Sequence, residues 1–199
     1  MRSRFAFLSV AYAALAIAVA AGAFTWLDQW AVDHLMPGGS FTTEEAGFAE
    51  ALIPLYGTHW DNAWSVVTNI VTVPASFLVA VALCWWRSRT LALIVVAATA
   101  VEALCKEVLT RPALSDAAHH IVGFDSSFPS GHTIRTILVA ALVARPFGAA
   151  WAILSIVLLQ LAGWHTPTDI AGGILLGLLG LLAARALRGR RLLRGAPGA

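Results

Sequence analysis

Residues 126–144 read Ser-Ser-Phe-Pro-Ser-Gly-His-Thr-Ile-Arg-Thr-Ile-Leu-Val-Ala-Ala-Leu-Val-Ala, a polar mouth that opens straight into an apolar run. The second half suits a hydrocarbon environment. The first half sets a hydroxyl, a glycine, an imidazole and a guanidinium at its threshold. A soluble domain carries roughly 25% charged residues. This chain of 199 residues carries 12%, with 59% hydrophobic residues and a mean hydropathy of +0.77. Those values predict an all-α integral membrane protein.

A membrane-spanning helix needs about 20 mostly apolar residues. Six such stretches occur, over 5–27, 62–86, 90–109, 132–147, 149–165 and 168–187, the fourth and fifth joined by the turn Arg145-Pro146-Phe147. The expectation is one six-transmembrane-helix bundle occupying 1–199 as a single domain, with both termini cytoplasmic. Residues 28–60 are expected as an extracytoplasmic loop or interfacial segment, and 188–199 as a basic cytoplasmic tail. Arg2, Arg4 and the small residues Ala21-Gly22-Ala23 imitate a signal peptide. The apolar stretch exceeds the 7–15 residues of a signal core, so a retained helix is expected.

Charge gives the orientation. With the N-terminus inside, Arg2, Arg4, Arg87, Arg89, Arg145, Arg185, Arg188, Arg190, Arg191 and Arg194 fall on the cytoplasmic side. Only Lys106, Arg111 and Arg135 fall outside, the asymmetry that the positive-inside rule requires. Every acid and every histidine falls on the outer side or in the outer half of a span. Trp26, Trp30, Trp60, Trp64 and Trp164 mark the outer interface, and Trp85, Trp86 and Trp151 the inner one. Cys84 and Cys105 fall at opposite faces, too far apart for a disulfide.

Three stretches bring ionisable groups to the outer surface: Lys106-Glu107-Val108-Leu109-Thr110-Arg111-Pro112, Pro129-Ser130-Gly131-His132 and His165-Thr166-Pro167-Thr168-Asp169. Ionisable residues at membrane depth are costly and point to function. Each stretch also has a plainer use. Lys106 and Arg111 can snorkel to headgroups, and Glu102 can pair with Lys106 at i,i+4. Thr166, Pro167 and Asp169 fit the N-cap, first and third positions of a helix. Two cations kept on the side from which cations are otherwise excluded nevertheless point to an anion. Pro-Ser-Gly-His offers free N–H groups, a hydroxyl and close backbone approach at a helix N-terminus, a setting that binds phosphate-like groups. Asp169 lies within reach of His165, and an Asp–His contact fixes the imidazole tautomer and raises its basicity. Together these groups supply what phosphoryl transfer needs: charge stabilisation, a nucleophile and a proton donor. No acidic cluster indicates a two-metal site, so no metal and no cofactor are expected. His119-His120 is the one pair that could be read as a metal ligand set, and a solvated loop is its plainer reading.

The order and spacing of these motifs resemble the type 2 phosphatidic acid phosphatase family of membrane lipid phosphatases. That family pattern is Lys-x6-Arg-Pro, Pro-Ser-Gly-His and Ser-Arg-x5-His-x3-Asp. Here Pro-Ser-Gly-His is complete at 129–132 and His-x3-Asp at His165 and Asp169. The first motif is shorter, Lys106-x4-Arg111-Pro112, and Leu158-Leu159 stand where Ser-Arg falls in the third. The resemblance implies His165 as nucleophile oriented by Asp169, His132 as proton donor, and Lys106, Arg111, Ser130 and Gly131 at the phosphoryl oxygens. Arg135 follows His132 by three residues on the same helix face, with about 4.5 Å of axial rise between them. It is the candidate replacement for the missing arginine, and a pairing with Glu102 or Glu107 is the competing expectation.

The implied substrate is a lipid phosphate or pyrophosphate, glycerolipid or polyprenyl, met at the extracytoplasmic side of a bacterial inner membrane. No nucleic-acid partner is expected. A single lysine against 12 arginines hints at a high-GC bacterial source. Two other readings stay open: a non-catalytic lipid-phosphate binding or transport protein, and an intramembrane serine protease built on Ser130. Gly173-x3-Gly177 can pack a helix of this chain or of a partner.

Overall fold

The computed structural model describes residues 2–35, 74–115, 121–122, 127–161 and 165–194. The expected loop beyond residue 35, the start of the second span at 62–73, Trp60, Trp64, Trp164, the His119-His120 pair and the last five residues lie outside them. Among the described residues the fold is helical. In chain order it comprises α1 (Arg2–Ala20), α2 (Thr25–Leu35), α3 (Pro74–Arg87), α4 (Arg89–Val108), α5 (Gly131–Ala140), α6 (Arg145–Leu161) and α7 (Pro167–Arg194). Between α4 and α5 a two-residue antiparallel ladder pairs β1 (Leu114–Ser115) with β2 (Ile121–Val122), matching Leu114 to Val122 and Ser115 to Ile121.

Helix occupies most of the described part of each expected span, but six membrane-crossing helices are not what the lengths give. Two segments, Ser3–Ala20 and Pro167–Arg188, are long and apolar enough to cross a membrane by length and composition. The expected fourth span, 132–147, breaks in two. α5 is a helix of 10 residues, about 15 Å long against a hydrocarbon core of about 30 Å. The chain turns at 141–144, and α6 then doubles back so closely that a β-carbon on Gly148 would overlap the Ala140 carbonyl.

The first expected span, 5–27, also stops early. Gly22 has φ of 74°, a left-handed conformation that a side chain resists. The Gly22 N–H donates to the Val19 carbonyl at 3.0 Å and the Ala23 N–H to the Ala18 carbonyl at 2.9 Å. That pair of bonds is the Schellman termination. The chain then starts α2 at an angle of its own rather than prolonging α1.

The other helix starts follow their side chains. The Ser88 hydroxyl accepts from the Leu91 N–H at 3.3 Å to open α4, and the Ser130 hydroxyl accepts from the Thr133 N–H at 3.2 Å to open α5. At α7, Thr166 N–H donates to Asp169 Oδ2 at 2.9 Å, while the Asp169 N–H reaches Thr166 Oγ1 at 3.5 Å. This reciprocal arrangement is a capping box closed by aspartate.

α7 is the central helix and packs against α1, α4 and α5. α3 lies on α4, and α6 on α5. The main core joins Ala80 and Cys84 of α3, Leu91, Val95 and Ala98 of α4, Ile134 and Leu138 of α5, and Leu176 and Ala184 of α7. Cys84 and Cys105 are both free thiols, and the Tyr12 hydroxyl lies 3.2 Å from Cys105 Sγ. The glycines of α7 pack within the chain: a β-carbon on Gly173 would fall 2.7 Å from both the Ser130 carbonyl and Thr133 Cβ, and one on Gly177 3.1 Å from Ile137. This seam sets α7 against the mouth of α5. The C-terminal end of α4 and the first turns of α5 and α7 thus meet at one end of the bundle, with α2 against α7 there.

Gly173→Ala should therefore destabilise the fold by about 1–3 kcal/mol through overpacking, because a carbonyl and a β-branched Cβ cannot yield. Gly177→Ala meets no main-chain atom, and its nearest contacts on Ile137 are 3.1 Å rather than 2.7 Å, so it should cost clearly less. Thermal unfolding of the two purified variants in one detergent checks the order. Equal midpoints would contradict this packing account.

Candidate active site

His132 and His165 face each other at the end of the bundle just described. His165 Nε2 lies 2.7 Å from His132 Nδ1, with ring centroids 4.7 Å apart and planes inclined at 61°. One of the two nitrogens carries the proton and the other accepts it. His132 sits in the first turn of α5, and His165 in the short connection before Pro167. Both positions follow from the caps. Ser130 N–H donates to the Asp169 main-chain carbonyl at 3.0 Å, which ties the mouth of α5 to the first turn of α7.

Asp169 stands behind His165, with Oδ2 3.9 Å from His165 Nδ1. That separation is an electrostatic contact, longer than a hydrogen bond. The carboxylate is engaged elsewhere: Oδ2 accepts from Ser127 Oγ at 2.8 Å and from Thr166 N–H at 2.9 Å, and Oδ1 accepts from Arg111 NH1 at 2.9 Å. Asp169 is completely buried, and His165 is 2% exposed. The contact between the rings needs one of its two nitrogens as acceptor, so at least one imidazole of the pair is neutral and keeps a lone pair.

Arg111, expected at the phosphoryl oxygens, has both terminal nitrogens on carboxylates in this structure. NH1 donates to Asp169 and, at 3.3 Å, to Thr166 Oγ1; NH2 donates to Asp28 Oδ2 at 2.6 Å. Asp28, in the first turn of α2, accepts in addition from Thr168 N–H at 3.1 Å and Thr168 Oγ1 at 2.6 Å. Reading the sequence missed this residue. It appeared there as one acid among several in an outer segment. The available signal was an acid set between two tryptophans, Trp26 and Trp30.

Glu102 joins the two remaining cations. Its Oε2 accepts from Arg135 NH1 at 3.0 Å, and its Oε1 lies 3.5 Å from Lys106 Nζ. The Glu102 carboxylate rests against Gly131, where an added β-carbon would overlap it. Both plainer expectations for Lys106 and Arg135 are thus present as pairs, and the two cations lie close enough to share one carboxylate. Ser130 is fully buried, and its hydroxyl accepts from both the N–H and the Oγ1 of Thr133, at 3.2 and 3.0 Å. Leu158 and Leu159, at the positions of the absent Ser-Arg, are buried core residues. Among the described residues no group of three or more His, Cys, Asp or Glu side chains is placed to hold a metal ion.

One outcome follows. Asp28→Ala would leave Arg111 buried with one partner fewer and should cost about 3–5 kcal/mol of stability; Asp28→Asn keeps an acceptor and should cost less. Thermal unfolding checks this, and an alanine variant as stable as wild type would refute the role given to Asp28.

Compared with known protein families, curated proteins and solved structures, the chain matches none.

Proposed function

We propose that this chain is a lipid phosphatase of the membrane, hydrolysing a phosphate or pyrophosphate carried on a glycerolipid or polyprenyl chain through a phosphohistidine intermediate. The observation that carries the reading is the part-buried His132–His165 contact at 2.7 Å, with the Asp169 carboxylate behind His165. A neutral imidazole held next to a second imidazole is suited to attack and to proton delivery in one step.

In this reading His165 Nε2 attacks phosphorus as the bond to the leaving oxygen breaks, and His132 gives that oxygen its proton. Water then attacks the phosphohistidine, passing a proton to His132 and freeing His165 with release of inorganic phosphate. Lys106, Arg135 and the Gly131 N–H hold the equatorial oxygens, where charge gathers in the transition state. Asp169 favours the His165 tautomer with its proton on Nδ1, and Arg111 acts through Asp169. The His132–His165 contact parts to admit the phosphoryl group. No step calls for a metal ion.

A membrane setting with the site at the extracytoplasmic face is supported by the charge asymmetry and by the outward apolar surface. Phe7, Ile17, Trp86, Leu104 and Phe147 are all more than half exposed. An apolar belt of that extent is characteristic of a surface covered by lipid. A six-helix membrane bundle remains part of the proposal, with α5 spanning only partly and its polar mouth lying below the headgroups.

Phosphate release from a panel of lipid phosphates and pyrophosphates tests the reading, with wild type and His165→Ala compared with and without a chelator. Wild type should release phosphate from at least one lipid in chelator, and the variant should lose at least about a hundredfold of that rate. Binding without release from any member of the panel would instead identify a lipid-phosphate carrier. Labelling of Ser130 by a fluorophosphonate would identify a serine hydrolase.

A further inference from the structure

We infer that Glu102 is a specificity-determining residue: a resident carboxylate in the anion pocket that a phosphomonoester or terminal pyrophosphate displaces and a phosphodiester does not. The inference rests on the phosphatase reading above and names which phosphates that site accepts.

The geometry is that of an occupied anion site. Glu102 is 7% exposed, and its two oxygens reach one cation each, Arg135 at 3.0 Å and Lys106 at 3.5 Å. Its carboxylate also lies against Gly131, at the helix mouth assigned to a phosphoryl group. Position, charge and cation partners are those the substrate needs. The carboxylate and the phosphoryl group therefore compete for the same two cations.

Charge decides the competition. A phosphomonoester carries about −1.5 to −2 at pH 7, with a second pKa of about 6. A phosphodiester carries a single negative charge at every physiological pH. Exchanging the Glu102 carboxylate for a diester replaces one monoanion by another. The exchange gains no Coulomb energy and forfeits an intramolecular partner already in place. Exchanging it for a dianion gains a full additional charge beside two cations at low dielectric, where charge–charge terms are large. Most phosphate groups of a surrounding bilayer are diesters at far higher concentration than any monoester. Without the Glu102 charge those diesters would compete for Lys106 and Arg135. With Glu102 in place the site stays closed to the bulk lipid and open to the rarer terminal phosphate.

The test uses the full-length protein in a detergent without phosphate, with inorganic phosphate as dianionic probe and dimethyl phosphate as monoanionic diester probe. Affinities are read from ligand-dependent thermal shifts of wild type, Glu102→Gln and Glu102→Asp. Wild type should bind phosphate and discriminate against dimethyl phosphate. Glu102→Gln should bind dimethyl phosphate at least about tenfold more tightly than wild type does, or about 1.4 kcal/mol. Glu102→Asp keeps the charge and should keep the discrimination, which separates charge from packing. Equal affinity of wild type for the two probes overturns the inference, as does a Glu102→Gln protein that gains nothing for the diester, or a wild type that binds neither probe. Should Glu102→Gln fail to fold, wild type and Glu102→Asp still decide it. Lipid-phosphate release on the same preparations keeps the two proposals apart. Release without probe discrimination sinks only the role of Glu102, and discrimination without release sinks only the hydrolytic reading.

Discussion

A single guanidinium holds the polar end of this molecule together. Arg111 lies between Asp28 and Asp169, at 2.6 and 2.9 Å, with its side chain 4% exposed. Those three residues come from α2, from the chain just past α4 and from the first turn of α7. Burying three charges is expensive, and such a group is tolerated only where its remaining valences are filled. They are filled here by hydroxyls and main-chain N–H groups from Ser127, Thr166 and Thr168. The donors at 166 and 168 belong to the start of α7, where the helix dipole favours negative charge. The network is better understood as fixing geometry than as a net source of stability. Once Arg111 is set, α7 can begin in only one place relative to α2 and α4, and His165 comes with it.

The charges around the histidines fall into two opposed groups. Asp28, Arg111 and Asp169 sum to a net anion; Glu102, Lys106 and Arg135 sum to a net cation. This division explains why Asp169 stops 3.9 Å short of His165. Its oxygens already accept three stronger bonds, from a guanidinium, a hydroxyl and an N–H. It can still bias the near nitrogen of the ring toward carrying the proton, which leaves Nε2 to accept from His132 Nδ1 at 2.7 Å.

Local signals in the sequence were read well because their physics is local. Ser130 before Gly131, and Thr166-Pro167 with Asp169 two residues on, are capping patterns completed within one turn, and α5 and α7 start where they place them. Hydropathy was a poorer guide to length. Ala141, Leu142 and Val143 are as apolar as any helix interior, yet the chain turns there so that α6 can pass Ala140 at Gly148. An apolar residue records distance from water and says nothing of whether a helix continues. The partner of Arg111 was illegible for a different reason. The sequence offers 11 acids, so each of these cations has many candidate partners, and Asp28 lies 83 residues from Arg111. Only the packing of α2 on the end of the bundle selects it.

The same surplus of acids makes the anions as informative as the cations that the family resemblance names. Motif order pointed to arginines and their absence from familiar positions, as though a phosphate site were a count of cations. In a low-dielectric pocket a cation cannot stand uncompensated between turnovers, because the cost of desolvating it falls on the empty protein. Every buried cation meant for a substrate must have an anion that holds its place. Arg111 has the carboxylates of Asp28 and Asp169 on its two terminal nitrogens, and in the proposed function this takes it out of direct competition for phosphate. Lys106 and Arg135 both reach the Glu102 carboxylate, which in the same proposal a more highly charged group displaces. The sequence motif names only the cations and is silent on the anions that hold them.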